Sequence, residues 1–138
     1  MSRSHELAWA AGFFDGEGWI KIQSRGNKLY QGYYLRIGIN HVKRDPLDKI
    51  QKLFGGNIRL DSKVQGNRKP RHVWTLSTAS AQQALIEMMP YFANKNAVAE
   101  LGLEFQQTVG KTGQRVSEEV QQQRFLIADK IKYLNSLD

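Results

Sequence analysis

Asp15 and Glu17, each followed by a glycine in "DGEG", are the residues whose type and spacing suit chemistry at a charged centre. They close the apolar run "LAWAAGFF" (Leu7 to Phe14), and the alternating stretch "WIKIQ" follows them. If the run is a helix, Glu17 sits at its C-terminal end, where the dipole and the neighbouring Asp15 both disfavour a carboxylate. A cation would relieve that conflict. Hard divalent ions such as magnesium are held by one or two carboxylates together with phosphate oxygens and water. Gly16 and Gly18 are expected to let the backbone turn sharply and to clear space around Glu17. The segment is not a calcium loop, because the twelfth position from Asp15 is Gly26 and not Glu.

The helix that must position these carboxylates is predicted over Ser4 to Phe14, with Ser4 as cap and Glu6 in the first turn. Ala8, Ala11, Gly12 and Asp15 fall at i, i+3, i+4 and i+7, a stripe of small residues. Leu7, Ala10 and Phe14 form a second apolar side, with Trp9 and Phe13 flanking. A helix apolar on nearly all sides must be covered on nearly all sides. Its small-residue face suits either the interior of a monomer or the same helix of a second copy. The acidic end favours the second copy, which would set two Glu17 carboxylates side by side over a bound backbone, the geometry of metal-assisted phosphodiester hydrolysis.

Composition narrows the partner. With 20 Lys plus Arg against 13 Asp plus Glu, the net charge of +7 favours a polyanion. The length of 138 residues predicts one domain over 1–138, and a 41% hydrophobic content predicts that it folds. There is no cysteine, which excludes disulfides, thiolate nucleophiles and zinc ribbons. His5, His41 and His72 are too scattered for a histidine metal site. No apolar segment is long enough to span a membrane, and "MSRSHEL" lacks a signal-peptide pattern. An intracellular setting is expected, with organelle, bacterium and phage all open.

Further along, period-two alternation predicts strands. In the first, Ile20 and Ile22 face inward and Lys21, Gln23 and Arg25 outward, up to the turn "RGNK". In the second, Tyr33 to Asn40, the inward residues are Leu35, Ile37 and Ile39, and Tyr34, Arg36, Gly38 and Asn40 point out. "RDPLDKIQKLFGG" reads as a helix capped by Asp45. Strands Ile58 to Lys63 and Arg71 to Ser77 are expected to bury Ile58, Leu60, Trp74 and Leu76. Arg59, Asp61, Lys63, Arg71, Val73 and Thr75 should share the other face. Helices are expected from Ala79 to Met89, Asn94 to Thr108 and Ser117 to Leu137. The result is a four-stranded antiparallel sheet, helices on one face and a basic second face, a footprint for a phosphate backbone, with two-stranded ribbons of a kind that fits the major groove. "GKTG" (Gly110 to Gly113) lacks the glycine and the strand of a phosphate-binding loop and is a linker turn.

"AAGFFDGEG", Ala10 to Gly18, resembles the motif of the LAGLIDADG homing endonucleases, and the α-β-β-α-β-β-α order with extra C-terminal helices is similar to theirs. The resemblance implies an α+β fold whose sheet forms a DNA-binding saddle and whose motif helices pair at an interface. It implies Glu17 as the metal-binding carboxylate, with the Gly16 carbonyl as a further ligand, and Asp15 as a structural acid at the base of the helices. It implies Mg2+ or another divalent cation such as Mn2+. Lys95, in "MPYFANKN", takes the place of the pocket cation, and His41 or Asn40 that of the polar pocket residue. Lys43 and Arg44 remain alternatives for a second cation. The sequence departs from the motif at Ala10, where the family has Leu, and at Glu17, where Asp is commoner. Lys21, Gln23, Arg25, Lys28, Tyr34, Arg36, Asn40, Arg59, Asp61, Lys63, Arg68, Arg71 and Thr75 are the expected DNA contacts. Ala8, Ala11, Gly12 and Asp15 are the expected dimer contacts. One motif per chain implies a homodimer that cuts double-stranded DNA at a nearly palindromic site. The alternatives are an RNA maturase of intron splicing and a DNA-binding protein that does not cut.

Overall fold

The computed structural model describes residues 2–27, 30–61, 66, 69–109 and 117–137. Lys28, Lys63 and Arg68, together with the whole "GKTGQR" segment, lie outside the described residues, as does the side chain of Arg25.

Helix α1 spans Arg3–Glu17, longer at both ends than its apolar pattern. Ser2, not Ser4, is its cap, its hydroxyl accepting the His5 N–H at 3.3 Å. The helix continues through Gly16 because no residue in "FDGE" forbids it. The sharp glycine turn is absent. Gly18 has an extended φ of −82°, and Gly16 is helical. Gly18 is required for space instead, since a Cβ there would lie 2.5 Å from the Phe14 ring.

Strands β1 (Gly18–Asn27) and β2 (Tyr30–His41) pair antiparallel with Gly18 opposite Ile39 and Lys21 opposite Arg36. Helix α2 (Asp45–Phe54) starts at Asp45 itself, with Arg44 rather than Asp45 in the cap position. Gly55 and Gly56 end it with φ of 76° and 97°, a left-handed pair that glycine adopts without a Cβ penalty. Strands β3 (Asn57–Asp61) and β4 (Arg71–Ser77) complete a sheet of order β1-β2-β4-β3, all neighbours antiparallel. Helices α3 (Thr78–Met88), α4 (Asn96–Gln107) and α5 (Glu118–Ser136) follow, with a single 3-10 turn at Met89–Tyr91.

The core lies between the sheet and the helices. Phe14, Ile20, Leu35, Ile37, Ile39, Trp74 and Leu85 are fully buried there, each contributing on the order of 1.5–3 kcal/mol of transfer free energy. Ile127 and Ile131 of α5 join this core, so α5 packs on its own domain. Arg124 ties α5 to the end of α4 through the Thr108 hydroxyl (2.9 Å) and carbonyl (2.6 Å). One burial expectation fails. Leu60 is 56% exposed because β3 is an edge strand and Leu60 has a strand neighbour on one side only, His72. Val73 shares the outward face as expected, and it is 3% exposed, flanked in the sheet by Asn40 and Arg59.

Candidate nuclease centre and nucleic-acid interface

Asp15 organises the acidic end of α1. Its carboxylate accepts the backbone N–H groups of Ala93 (2.8 Å), Asn94 (3.0 Å) and Lys95 (2.8 Å), the segment that opens α4. Orphan amides at a helix start are natural anion partners. Desolvation works to raise the Asp15 pKa, but the bonds from Ala93, Lys95 and Asn94 and the Lys95 charge outweigh it. The net shift is downward.

This contact revises the expected subunit face. Asp15 turns to its own α4, and Ala11 is fully buried against its own core, so neither presents a small surface to a second copy. Ala8 and Gly12 are exposed, and Gly16 continues their line at i+4. Nothing lies within 4 Å of a Cβ placed on Gly12 or Gly16.

Glu17, the last residue of α1, is exposed. Lys95 is half-buried at the α4 cap position and lines a cavity of about 390 Å³ with Gly18, Trp19 and Asn94. The Gly16 carbonyl falls among the last four of α1, which a helix leaves without intrahelical donors. No cluster of three or more His, Cys, Asp or Glu that could hold a metal exists among the described residues. One carboxylate and a carbonyl do suit magnesium, which takes few protein ligands and completes its shell with phosphate oxygens and water.

His41 and Asn40 point to opposite sides of β2. The His41 ring meets Phe13 of α1 edge-on at 5.6 Å, and its Nδ1 lies 3.0 Å from the Lys43 nitrogen. Asn40 belongs to the outward face. Of the two alternative pocket cations, Arg44 is engaged by Asp48 at 3.1 Å, and both residues are exposed.

The outward face assembles as the alternation requires. Lys21 and Gln23 on β1 stand opposite Arg36 and Tyr34 on β2, and Thr75 on β4 stands opposite Gly38. Arg59 and Asp61 on β3 stand opposite Val73 and Arg71. Partial desolvation, then the charges of Arg36 and Arg59, lower the Lys21 pKa. Three cations crowd one patch, so an anion would relieve their repulsion.

Trp19 is the residue missed in the sequence. It precedes the strand expected from Ile20, yet shares the parity of Lys21 and Gln23, which was the available signal. Its indole lies against Gly38, with Lys21 Nζ 4.6 Å and Arg36 Cζ 5.8 Å from the ring centroid. Its Nε1–H donates to Asn40 Oδ1 at 2.9 Å. A Cβ on Gly38 would collide with that ring and lie 2.6 Å from the Trp74 carbonyl oxygen.

The model of the LAGLIDADG endonuclease family matches residues 10–110, from the motif through α4. A search of curated proteins gave no significant match. Among solved structures, the homing endonuclease I-CvuI, in complex with its target in the presence of calcium, superposes with a TM-score of 0.79 at 25% identity. That match covers 95% of this chain and 82% of I-CvuI. The archaeal intron-encoded homing endonuclease I-Vdi141I, complexed with DNA, has the same fold, with a TM-score of 0.79 at 13% identity over 96% of this chain and 86% of that one. The meganuclease I-SmaMI, bound to uncleaveable DNA, matches 89% of this chain with 43% of its own at 19% identity, with a TM-score of 0.71. An acidic motif helix feeding an antiparallel sheet with a basic outer face, matched from Ala10 onward by the family's own model, leaves one assignment: the chain belongs to the LAGLIDADG endonuclease family.

Proposed function

We propose that residues 1–138 form a single domain that acts as a homodimeric, magnesium-dependent, site-specific double-strand DNA endonuclease. The observation that carries this reading is the Asp15 contact. It ties the residues around Lys95 to the end of α1, two residues before the exposed Glu17. In this reading the Glu17 carboxylate and the Lys95 cation act together at one end of a basic sheet face.

Glu17 and the Gly16 carbonyl would hold the divalent cation, with Mn2+ as an alternative to Mg2+. When bound, the ion supplies Lewis-acid activation of the scissile phosphate and of water. Lys95 offsets the negative charge that develops on the phosphate oxygens, and its partial burial limits where its ammonium can reach. His41, braced by Phe13, would serve as the polar residue that orients solvent at the centre. Lys21, Arg36, Arg59 and Arg71 contact the DNA from the sheet, with Gln23, Tyr34, Asn40, Asp61 and Thr75 among them. Arg25, Lys28, Lys63 and Arg68 extend this set.

A second copy docks through Ala8, Gly12 and Gly16, where small residues let backbones approach and bring two Glu17 carboxylates over one duplex. The relative I-CvuI is described with its DNA target in the presence of calcium and, with another target, of magnesium, which accords with divalent metal use. No helix of the described residues is long and apolar enough to cross a membrane. The test is selection of cleaved sites from a randomised duplex library with magnesium present. A discrete, nearly palindromic set of cut sites supports the reading. A library that stays intact at all protein concentrations opposes it.

A further inference from the structure

Two amides on the outward face are held in a single orientation. Trp19 Nε1–H reaches an Asn40 side-chain atom at 2.9 Å, and Arg36 Nη1 reaches a Gln23 side-chain atom at 2.9 Å. An indole N–H and a guanidinium only donate, so in both cases the atom met is the amide oxygen. Each amide therefore turns its oxygen sideways to a neighbour on the same face and keeps its NH2 group for whatever lies over the sheet. Lys21, Arg36 and Arg59 add further groups that donate and cannot accept.

We infer that this face is set to read hydrogen-bond acceptors, that guanine is the base taken opposite Asn40 and Gln23, and that Trp19 is the positioning residue that sets Asn40. The inference rests on the DNA-cleaving reading above and specifies what its interface selects. A free Asn or Gln pairs bidentately with adenine, donating to N7 and accepting from N6. With one lone pair of the oxygen already taken by Trp19 or Arg36 and the amide plane fixed by that bond, the accepting half of that pair is weakened while the donating half stays available. In the major groove guanine alone shows two acceptors, O6 and N7. Thymine shows one beside its methyl group, adenine shows one beside a donor, and cytosine shows a donor. A patch of donors therefore favours guanine and rejects cytosine. Trp19 keeps its place because Gly38 leaves room for the indole, and a Cβ there would not.

The experiment profiles bound and cleaved sites from a randomised duplex library for the wild type and for Trp19→Phe. The wild type should enrich guanine at inner positions of each half-site. Replacing such a guanine by 7-deazaguanine, which lacks only the N7 acceptor, should slow cleavage roughly tenfold. Trp19→Phe keeps the ring over Gly38 and removes the N–H. Adenine should then rise to at least equal guanine at one position per half-site, with the other positions unchanged, a shift that a merely structural role would not produce. If Trp19→Phe fails to fold, Asn40→Asp serves instead. It keeps an acceptor for Trp19 but replaces the outward donor by an acceptor, and that same position should move from guanine to cytosine. Discrete wild-type sites without guanine enrichment overturn this inference alone, as does an unchanged base profile in the variants. A wild type that neither binds nor cuts any duplex overturns the underlying reading with it.

Discussion

The Asp15 carboxylate accepts the backbone N–H of Lys95 at 2.8 Å across a sequence separation of 80 residues. That bond couples the end of the motif helix to the start of α4. The two groups assigned to the reaction therefore share one anchor, and the anchor is a charge.

Asp15→Asn should loosen that coupling. An amide oxygen accepts hydrogen bonds without the charge, so a loss of about 1–2 kcal/mol at neutral pH is expected, comparable to removing a helix cap. The Asp15 pKa is lowered in the folded chain, because the three backbone bonds and Lys95 outweigh the opposing desolvation. A depressed carboxylate contributes stability that is fully present above its unfolded pKa and is lost as pH falls through the folded value. Wild type and variant should therefore differ most near neutrality and converge below the ordinary carboxylate range. Denaturant midpoints across an acid pH series check this, and a constant difference down to the lowest pH would contradict it.

Much of this arrangement was legible in the sequence because it is periodic. Ile20, Leu35, Ile37 and Ile39 alternate with polar residues, and all four are buried. Lys21 and Arg36 share the outer face for the same reason. Leu60 departs from its expected burial because alternation gives the face but not the sheet order. Nothing local tells that β3 is an edge strand and β4 an inner one. Asp15 is a different failure. Its spacing fits a small helical stripe, whereas its partners lie in 93–95, a contact that no local pattern reports.

Gly12→Leu separates folding from assembly. A Cβ at Gly12 meets nothing within 4 Å in its own chain. Helix propensity alone favours the substitution by somewhat under 1 kcal/mol, so the melting temperature at low protein concentration should hold or rise slightly. The proposed contact between copies should weaken by about 1–3 kcal/mol through overpacking, and cleavage should fall with it. Sedimentation together with a cleavage assay reads both. A variant that dimerises and cuts like the wild type would exclude this face.

Gly38→Ala should be costly although Gly38 lies mid-strand. Its Cβ would press into the Trp19 ring and sit 2.6 Å from the Trp74 carbonyl oxygen, a backbone atom that cannot move without parting β2 from β4. A loss of about 1–3 kcal/mol is expected, measured as a lower denaturant midpoint. Unchanged stability would mean that Trp19 leaves the face at little cost.

Glu17 carries the central claim, and one side-by-side measurement tests it. A duplex recovered from the library selection is incubated with the wild type and with Glu17→Gln, in magnesium and in chelator, while binding is followed on the same samples. The substitution removes a metal ligand and no phosphate-contacting cation. The wild type should cut both strands only with magnesium, and Glu17→Gln should bind with near wild-type affinity and cut neither strand. Cleavage by Glu17→Gln at close to the wild-type rate, or cleavage by the wild type in chelator, would contradict the account.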